Sequence, residues 1–119
     1  MVNLDTHVLV HALVGRLTAK EQRILPAQPW GVSAIVFWEL AKLVQLGRID
    51  LDLDHAEVIR ALADLHVWPI DLRVARASTR LDFRGDPADE LIAATSLVHG
   101  VPLLTRDRRI ARSRIVPLA

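Results

Sequence analysis

Residues 86–107 read DPADELIAATSLVHGVPLLTRD, and this stretch decides how the rest of the chain is read. Asp86 followed by Pro87 is a helix start: an acceptor side chain at the N-cap, then a proline whose missing N–H is not needed at the first helical position. The helix runs through LIAATSLVH until Gly100, which can turn left-handed and stop it. Val101 to Leu104 then form a short apolar strand, and Asp107 lies just past its end. A helix feeding a strand that is apolar throughout indicates a parallel sheet covered on both faces.

Outward from there the same alternation repeats. Val2 to Leu4 form a first buried strand, followed by a helix from Thr6 to Val14 that stops at Gly15. Thr18 and Glu21 have capping-box spacing and open a second helix, which ends before Pro26 or Pro29. Trp30 to Val32 form a second strand, and Ser33 caps the apolar helix SAIVFWELAKLVQLG, closed by Gly47. Asp54 and Glu57 repeat the capping-box spacing for a helix through Leu65. Val67 to Ile70 form a third strand despite Pro69, and Asp71 caps the helix after it. Ile115 to Leu118 form a fifth strand at the sheet edge. The reading is a mostly parallel α/β sheet with helices on both faces.

The 119 residues suit one domain, 1–119, and a hydrophobic share of 51% supplies one core. No apolar run reaches about 18 residues, and Asp5 stands where a secretory signal needs a basic start. A soluble, cytoplasmic chain with no membrane segment is therefore expected. With no cysteine, disulfides and thiolate metal sites are excluded. The net charge of +1 conceals an asymmetry: residues 60–119 hold ten Arg against seven acids, and residues 1–59 hold five Lys or Arg against seven. The second half is the better candidate for facing phosphates, densest at TRDRRIARSR with Arg106, Arg108, Arg109, Arg112 and Arg114. Taken alone, such a run reads as a solvated helix face.

Ligands of open parallel sheets sit at the carboxyl ends of the strands, which gives the acids a meeting place. Asp5 ends the first strand and Asp107 follows the fourth. Glu39 lies inside an apolar helix, between Ile35 and Leu43 at four-residue spacing, where a carboxylate needs a partner or a metal unless it turns outward beside Lys42. Asp89 is in the first turn of its helix. Plainer roles stay open: Asp5, Asp86 and Asp107 suit helix caps, and Asp89 suits the helix dipole. If Asp5, Glu39, Asp89 and Asp107 converge, each pair at about 5 Å repels by roughly 3 kcal/mol at an effective dielectric of about 20. Such a cluster binds protons or cations. Oxygen-only ligands suit Mg²⁺ or Mn²⁺, which can activate water and stabilise the pentacovalent phosphate in phosphodiester hydrolysis. His7 and His11 share a helix face, but zinc would need a third ligand and no HExxH occurs. Phe37 and Trp38 read as core or interface rather than base-stacking residues.

Three segments, LDTHVLVHAL, VSAIVFWELAKLVQLGRI and DPADELIAATSLVHGVPLLTRDRRI, resemble in order the PIN-domain family, particularly VapC-like toxins. The resemblance implies a Rossmann-like three-layer α/β/α fold with Asp5, Glu39, Asp89 and Asp107 as catalytic and metal-binding acids. It makes Asp86 an accessory acid or cap, and puts Thr6 and Thr105 near the metal. It further implies Mg²⁺ or Mn²⁺, cleavage of single-stranded or loop RNA, a homodimer, and a cognate antitoxin as partner; the charge asymmetry makes Arg106, Arg108, Arg109 and Arg112 the candidate RNA contacts. Two positions depart from the family pattern, His11 where an aromatic is common and Glu90 where Arg is frequent. The alternatives are a PIN domain that binds RNA or protein without cutting, and a receiver-type phosphoacceptor domain. The receiver reading lacks an acidic pair after the first strand and a Lys after the last.

Overall fold

The computed structural model describes residues 1–119. In chain order it holds β1 (Val2–Leu4), α1 (Thr6–Val14), α2 (Ala19–Ile24), β2 (Trp30–Ser33), α3 (Ile35–Gln45), α4 (Ala56–Ala63), β3 (His66–Trp68), α5 (Leu72–Ser78), α6 (Pro87–His99), β4 (Leu103–Leu104) and α7 (Arg108–Ala111). A 3-10 turn, Leu25–Ala27, follows α2. The four strands form one sheet in the order β3-β2-β1-β4, with every pairing parallel. From β1 the chain steps outward to β2 and β3, then returns across the sheet to β4 on the other side of β1. With right-handed crossovers, that reversal puts α5 and α6 on the face opposite the earlier helices. It also makes the carboxyl edge between β1 and β4 a topological switch point.

β1 is buried along its whole length, which is why it carries no charge. Val2 and Leu4 are fully buried in a core of fifteen residues that also takes in Val8 and Leu9 of α1, Val36 and Leu40 of α3, Ile92 of α6 and Ile110 of α7. Each large apolar side chain buried in this way contributes about 1.5–3 kcal/mol. Asn3 alternates to the other side, where its Nδ2 donates to the Ile92 carbonyl at 3.1 Å and to Ser96 Oγ at 2.9 Å. A buried polar group thus fixes the height of α6 against β1. Gly31 in β2 is set by packing: a Cβ there would lie 2.5 Å from the Trp68 ring.

Local signals place most boundaries. Gly15 and Gly100 adopt left-handed conformations at their helix ends, Thr18 and Glu21 form a complete capping box, and Asp71 accepts from the Val74 N–H. Five expectations need correction. Ser33 ends β2 and the N-cap position of α3 is Ala34, although Ser33 Oγ accepts from Ile35 N at 3.4 Å. His55, not Asp54, caps α4, its Nδ1 accepting from Glu57 N. The third strand is His66–Trp68 rather than Val67–Ile70, because Pro69 has no N–H to continue a ladder. The strand expected at Ile115–Leu118 reduces to one parallel bridge, Leu103 with Leu118. Asp86 occupies the N-cap position of α6, but its side chain makes no cap hydrogen bond.

Candidate active site

The parallel register pairs Leu4 with Leu104, so the next residues, Asp5 and Thr105, leave the sheet side by side. The Thr105 hydroxyl donates to Asp5 Oδ2 at 2.6 Å and accepts from the Asp107 N–H at 3.0 Å. Asp5 Oδ1 accepts from Thr6 N at 2.8 Å. Asp5 therefore caps α1 and faces the switch point at once, and the two readings of it are compatible. Thr6, itself buried, donates its hydroxyl to Glu39 Oε1. This bond joins α1 to α3 and turns Glu39 toward the same edge. Asp107 caps α7, accepting from Arg109 N at 2.8 Å and Ile110 N at 3.2 Å through Oδ1. Asp89 reaches the edge from the first turn of α6.

These residues line one open cavity of about 450 Å³, formed by Asp5, His7, His11, Glu39, Asp86, Asp89, Arg106, Asp107 and Arg109, without a single hydrophobic side chain. Five carboxylates against two guanidiniums leave it short of positive charge. The proton affinities follow. Burial pushes the Asp5 and Glu39 carboxyls upward, against the lowering effect of the hydrogen bonds from Thr105 and Thr6 respectively. Asp89 is pushed up to about 6, first by burial and then by Asp5, Glu39, Asp107 and Asp86. Its position at the positive end of α6 does not offset four carboxylates.

Of the expected phosphate-facing arginines, Arg106 and Arg109 reach the cavity wall, while Arg108 and Arg112 are exposed on and just after α7 and do not line it. Arg106 has a partner that sequence reasoning missed. Its Nε and Nη2 donate to the two oxygens of the buried Glu21 at 2.8 and 2.6 Å, and Nη2 also donates to the Arg16 carbonyl. That two-bonded pair holds the Glu21 carboxyl down at about 2. Arg109 donates to the Arg84 carbonyl. His7 and His11 share the cavity wall, as their spacing suggested. Burial, then Arg106, lowers the proton affinity of His11, and its Nδ1 is buried without a partner.

No three of the His, Asp and Glu side chains close into a ready ligand set. The donors nonetheless fit a hard dication. They are all carboxylate oxygens, they repel one another, and Mg²⁺ is commonly held by one or two carboxylates while keeping several waters.

The PIN-domain family model matches residues 2–115. The chain belongs to the PIN-domain family. Ribonuclease VapC22 of Mycobacterium tuberculosis is 38% identical over 120 residues, covering 95% of this chain and 92% of that protein. This PIN fold also resembles a toxin-antitoxin complex from Klebsiella pneumoniae (TM-score 0.73, 20% identity, 94% of this chain and 92% of that one). VapBC2 from Rickettsia felis bound to a DNA fragment from its promoter is similar as well (TM-score 0.72, 16% identity, 100% of this chain and 98% of that one). The architecture expected from the sequence, a parallel α/β sheet flanked by helices, is the one observed. No helix is long and apolar enough to cross a membrane.

Proposed function

We propose that this PIN domain, taken as the single domain 1–119, is a metal-dependent endoribonuclease, the toxin of a VapBC-type toxin–antitoxin pair acting in the cytoplasm. The observation that carries the reading is the meeting of Asp5, Glu39, Asp89 and Asp107 at one polar cavity, with the Asp89 carboxyl pushed up to about 6 by burial and then by its acidic neighbours. Kinship with a protein named as a ribonuclease adds the substrate class.

Asp5, Glu39, Asp89 and Asp107 would hold Mg²⁺ or Mn²⁺, with Asp86 beside them. When bound, such an ion activates water and neutralises charge on the phosphate. The protein's own part is positional. Thr105 fixes Asp5 by its hydroxyl, and Thr6 fixes Glu39, so neither carboxylate must be reoriented when the cation arrives. Arg109 on the cavity wall can meet a phosphate oxygen, whereas Arg106 is committed to Glu21 and shapes the wall. Exposed apolar side chains such as Leu46, Ile59 and Leu72 suit a second copy of this chain and a cognate antitoxin.

Digestion of total RNA with mapping of the cleaved ends, with Mg²⁺ and with chelator, tests the proposal. Discrete cleavage that chelator abolishes is expected. Cleavage indifferent to chelator, or none on any RNA with the metal present, would overturn it. Asp5→Asn should lower the cleavage rate by about a hundredfold or more, since even a supporting contact to a metal ligand is worth about 10- to 100-fold.

A further inference from the structure

Beside the acid cavity lies a second opening of different character, a groove of about 530 Å³. Ile35, Trp38, Pro87 and Leu91 supply its apolar walls, and Glu39 and Asp86 belong to both openings. The two therefore adjoin, one lined by polar and charged side chains alone and the other largely apolar. Trp38 is 56% exposed, so of the two roles expected for it, core or interface, the core is excluded. Its ring carries the Lys42 ammonium 5.9 Å from the centroid, one helical turn further along α3.

A nucleotide has this same division, a charged phosphate joined to a flat base with apolar faces. We propose that the Trp38 groove is a nucleobase subsite, which takes the base of a single-stranded RNA nucleotide adjoining the phosphate at the acid cavity. The proposal rests on the ribonuclease reading and adds to it the residue that selects the base. Stacking on an exposed aromatic ring is how unpaired bases are commonly held. The two shared carboxylates also favour this occupant. A base edge offers N–H donors to Glu39 and Asp86, whereas an apolar face of a second copy would bury both carboxylates without partners. Lys42 stands where it can meet a flanking phosphate.

The protein provides its own probe. Of three tryptophans, Trp68 is 5% exposed and Trp30 is partly buried with its Nε1 donating to the Leu25 carbonyl. Trp38 alone is mainly exposed. Titration of the parent, Trp38→Ala and Trp38→Phe with hexamers of A, C, G and U, with Ca²⁺ in place of Mg²⁺, is read by tryptophan emission. Cleavage of an RNA pool with Mg²⁺ is followed in parallel. The expected result is quenching of the parent that differs among the bases and is lost in Trp38→Ala. In Trp38→Ala the KM for cleavage should rise about tenfold and the base preference beside the cut should relax, with Trp38→Phe largely restoring both. Cleavage by Trp38→Ala with parental KM and preference would overturn the subsite while leaving the ribonuclease intact. Parent emission that is already shielded and indifferent to RNA, with Trp38→Ala changing a dimer to a monomer on sedimentation, would assign the groove to a second copy instead. If the parent neither binds nor cuts RNA, the ribonuclease reading fails and the subsite with it.

Discussion

Arg106 pairs with Glu21 and also lines the acid cavity, and the carboxyls on its two sides move in opposite directions: Glu21 down, Asp5, Glu39 and Asp89 up. Glu21, on α2, is 3% exposed and receives two hydrogen bonds from Arg106, so its carboxyl sits at about 2. Asp89, on α6, is only partly buried, yet it sits at about 6, raised first by that burial and then by the acids around it, with no cation paired to it. Burial alone would raise both. The partner decides: Glu21 is completed by the chain itself, whereas the chain pairs no cation with Asp89, and the function proposed above has a cation from outside complete that cluster.

The largest effect expected from testing this contrast is on the completed side. Arg106→Ala leaves the Glu21 charge buried and unpaired and should cost about 2 kcal/mol, allowing for the partial exposure of Arg106. Thermal melts in chelator measure it, and the loss should remain when Mn²⁺ is added. A variant as stable as the parent would mean that Glu21 does not depend on Arg106.

On the uncompleted side the sign reverses. The folded-state affinity of Asp89 lies above its ordinary value of 3.8, at about 6, so the folded protein binds the proton more tightly than the unfolded chain does. The resulting destabilisation is fully present above about pH 6 and disappears as pH falls through about 6 toward 4. Asp89→Asn should therefore raise metal-free stability at pH 7 by about 1 kcal/mol, a figure reduced for solvent screening at this half-buried position. The variant should also flatten the dependence between pH 4 and 6. Melts across that range in chelator are the check, and a destabilised variant with unchanged pH dependence would remove Asp89 from the strained group.

Asp86 should give the smallest effect. It stands at a helix N-cap position, where a capping side chain is worth about 1 kcal/mol, but it makes no such bond. Asp86→Ala should alter metal-free stability by less than about 0.5 kcal/mol. A loss near the capping value would show that the side chain caps α6 in solution.

The part of this contrast that sequence reveals is the local part. The Thr18–Glu21 box, the stops at Gly15 and Gly100 and the cap at Asp71 depend on residues a few positions apart, and each is where the pattern puts it. The four acids were legible as candidates because strand ends and an apolar helix make a carboxylate conspicuous, and the family resemblance gave them a common purpose. What holds them was less legible. Glu21 reads completely as a capping residue, since its Oε1 does accept from Thr18 N, and nothing local announces a guanidinium 85 positions away. Asn3 likewise gives no sign of Ser96, nor Gly31 of the Trp68 ring. Apolar pattern puts the third strand at Val67 to Ile70, while the pairing of Ser33 with Trp68 ends it before the proline. His55 is not legible as the cap of α4, because an imidazole nitrogen is a rarer acceptor there than the neighbouring aspartate.

The central claim is that Asp5, Glu39, Asp89 and Asp107 are completed by a cation. The most direct test is the melting temperature of the metal-free protein against added Mn²⁺ at pH 7, for the parent and for Asp89→Asn. At a concentration about 100 times its dissociation constant, an ion binding only the folded state adds about 2.7 kcal/mol. In a domain of this size that is a shift of roughly 10 °C or more. The account predicts such a shift in the parent and little of it in Asp89→Asn. No shift in the parent, or the full shift in the variant, would contradict it.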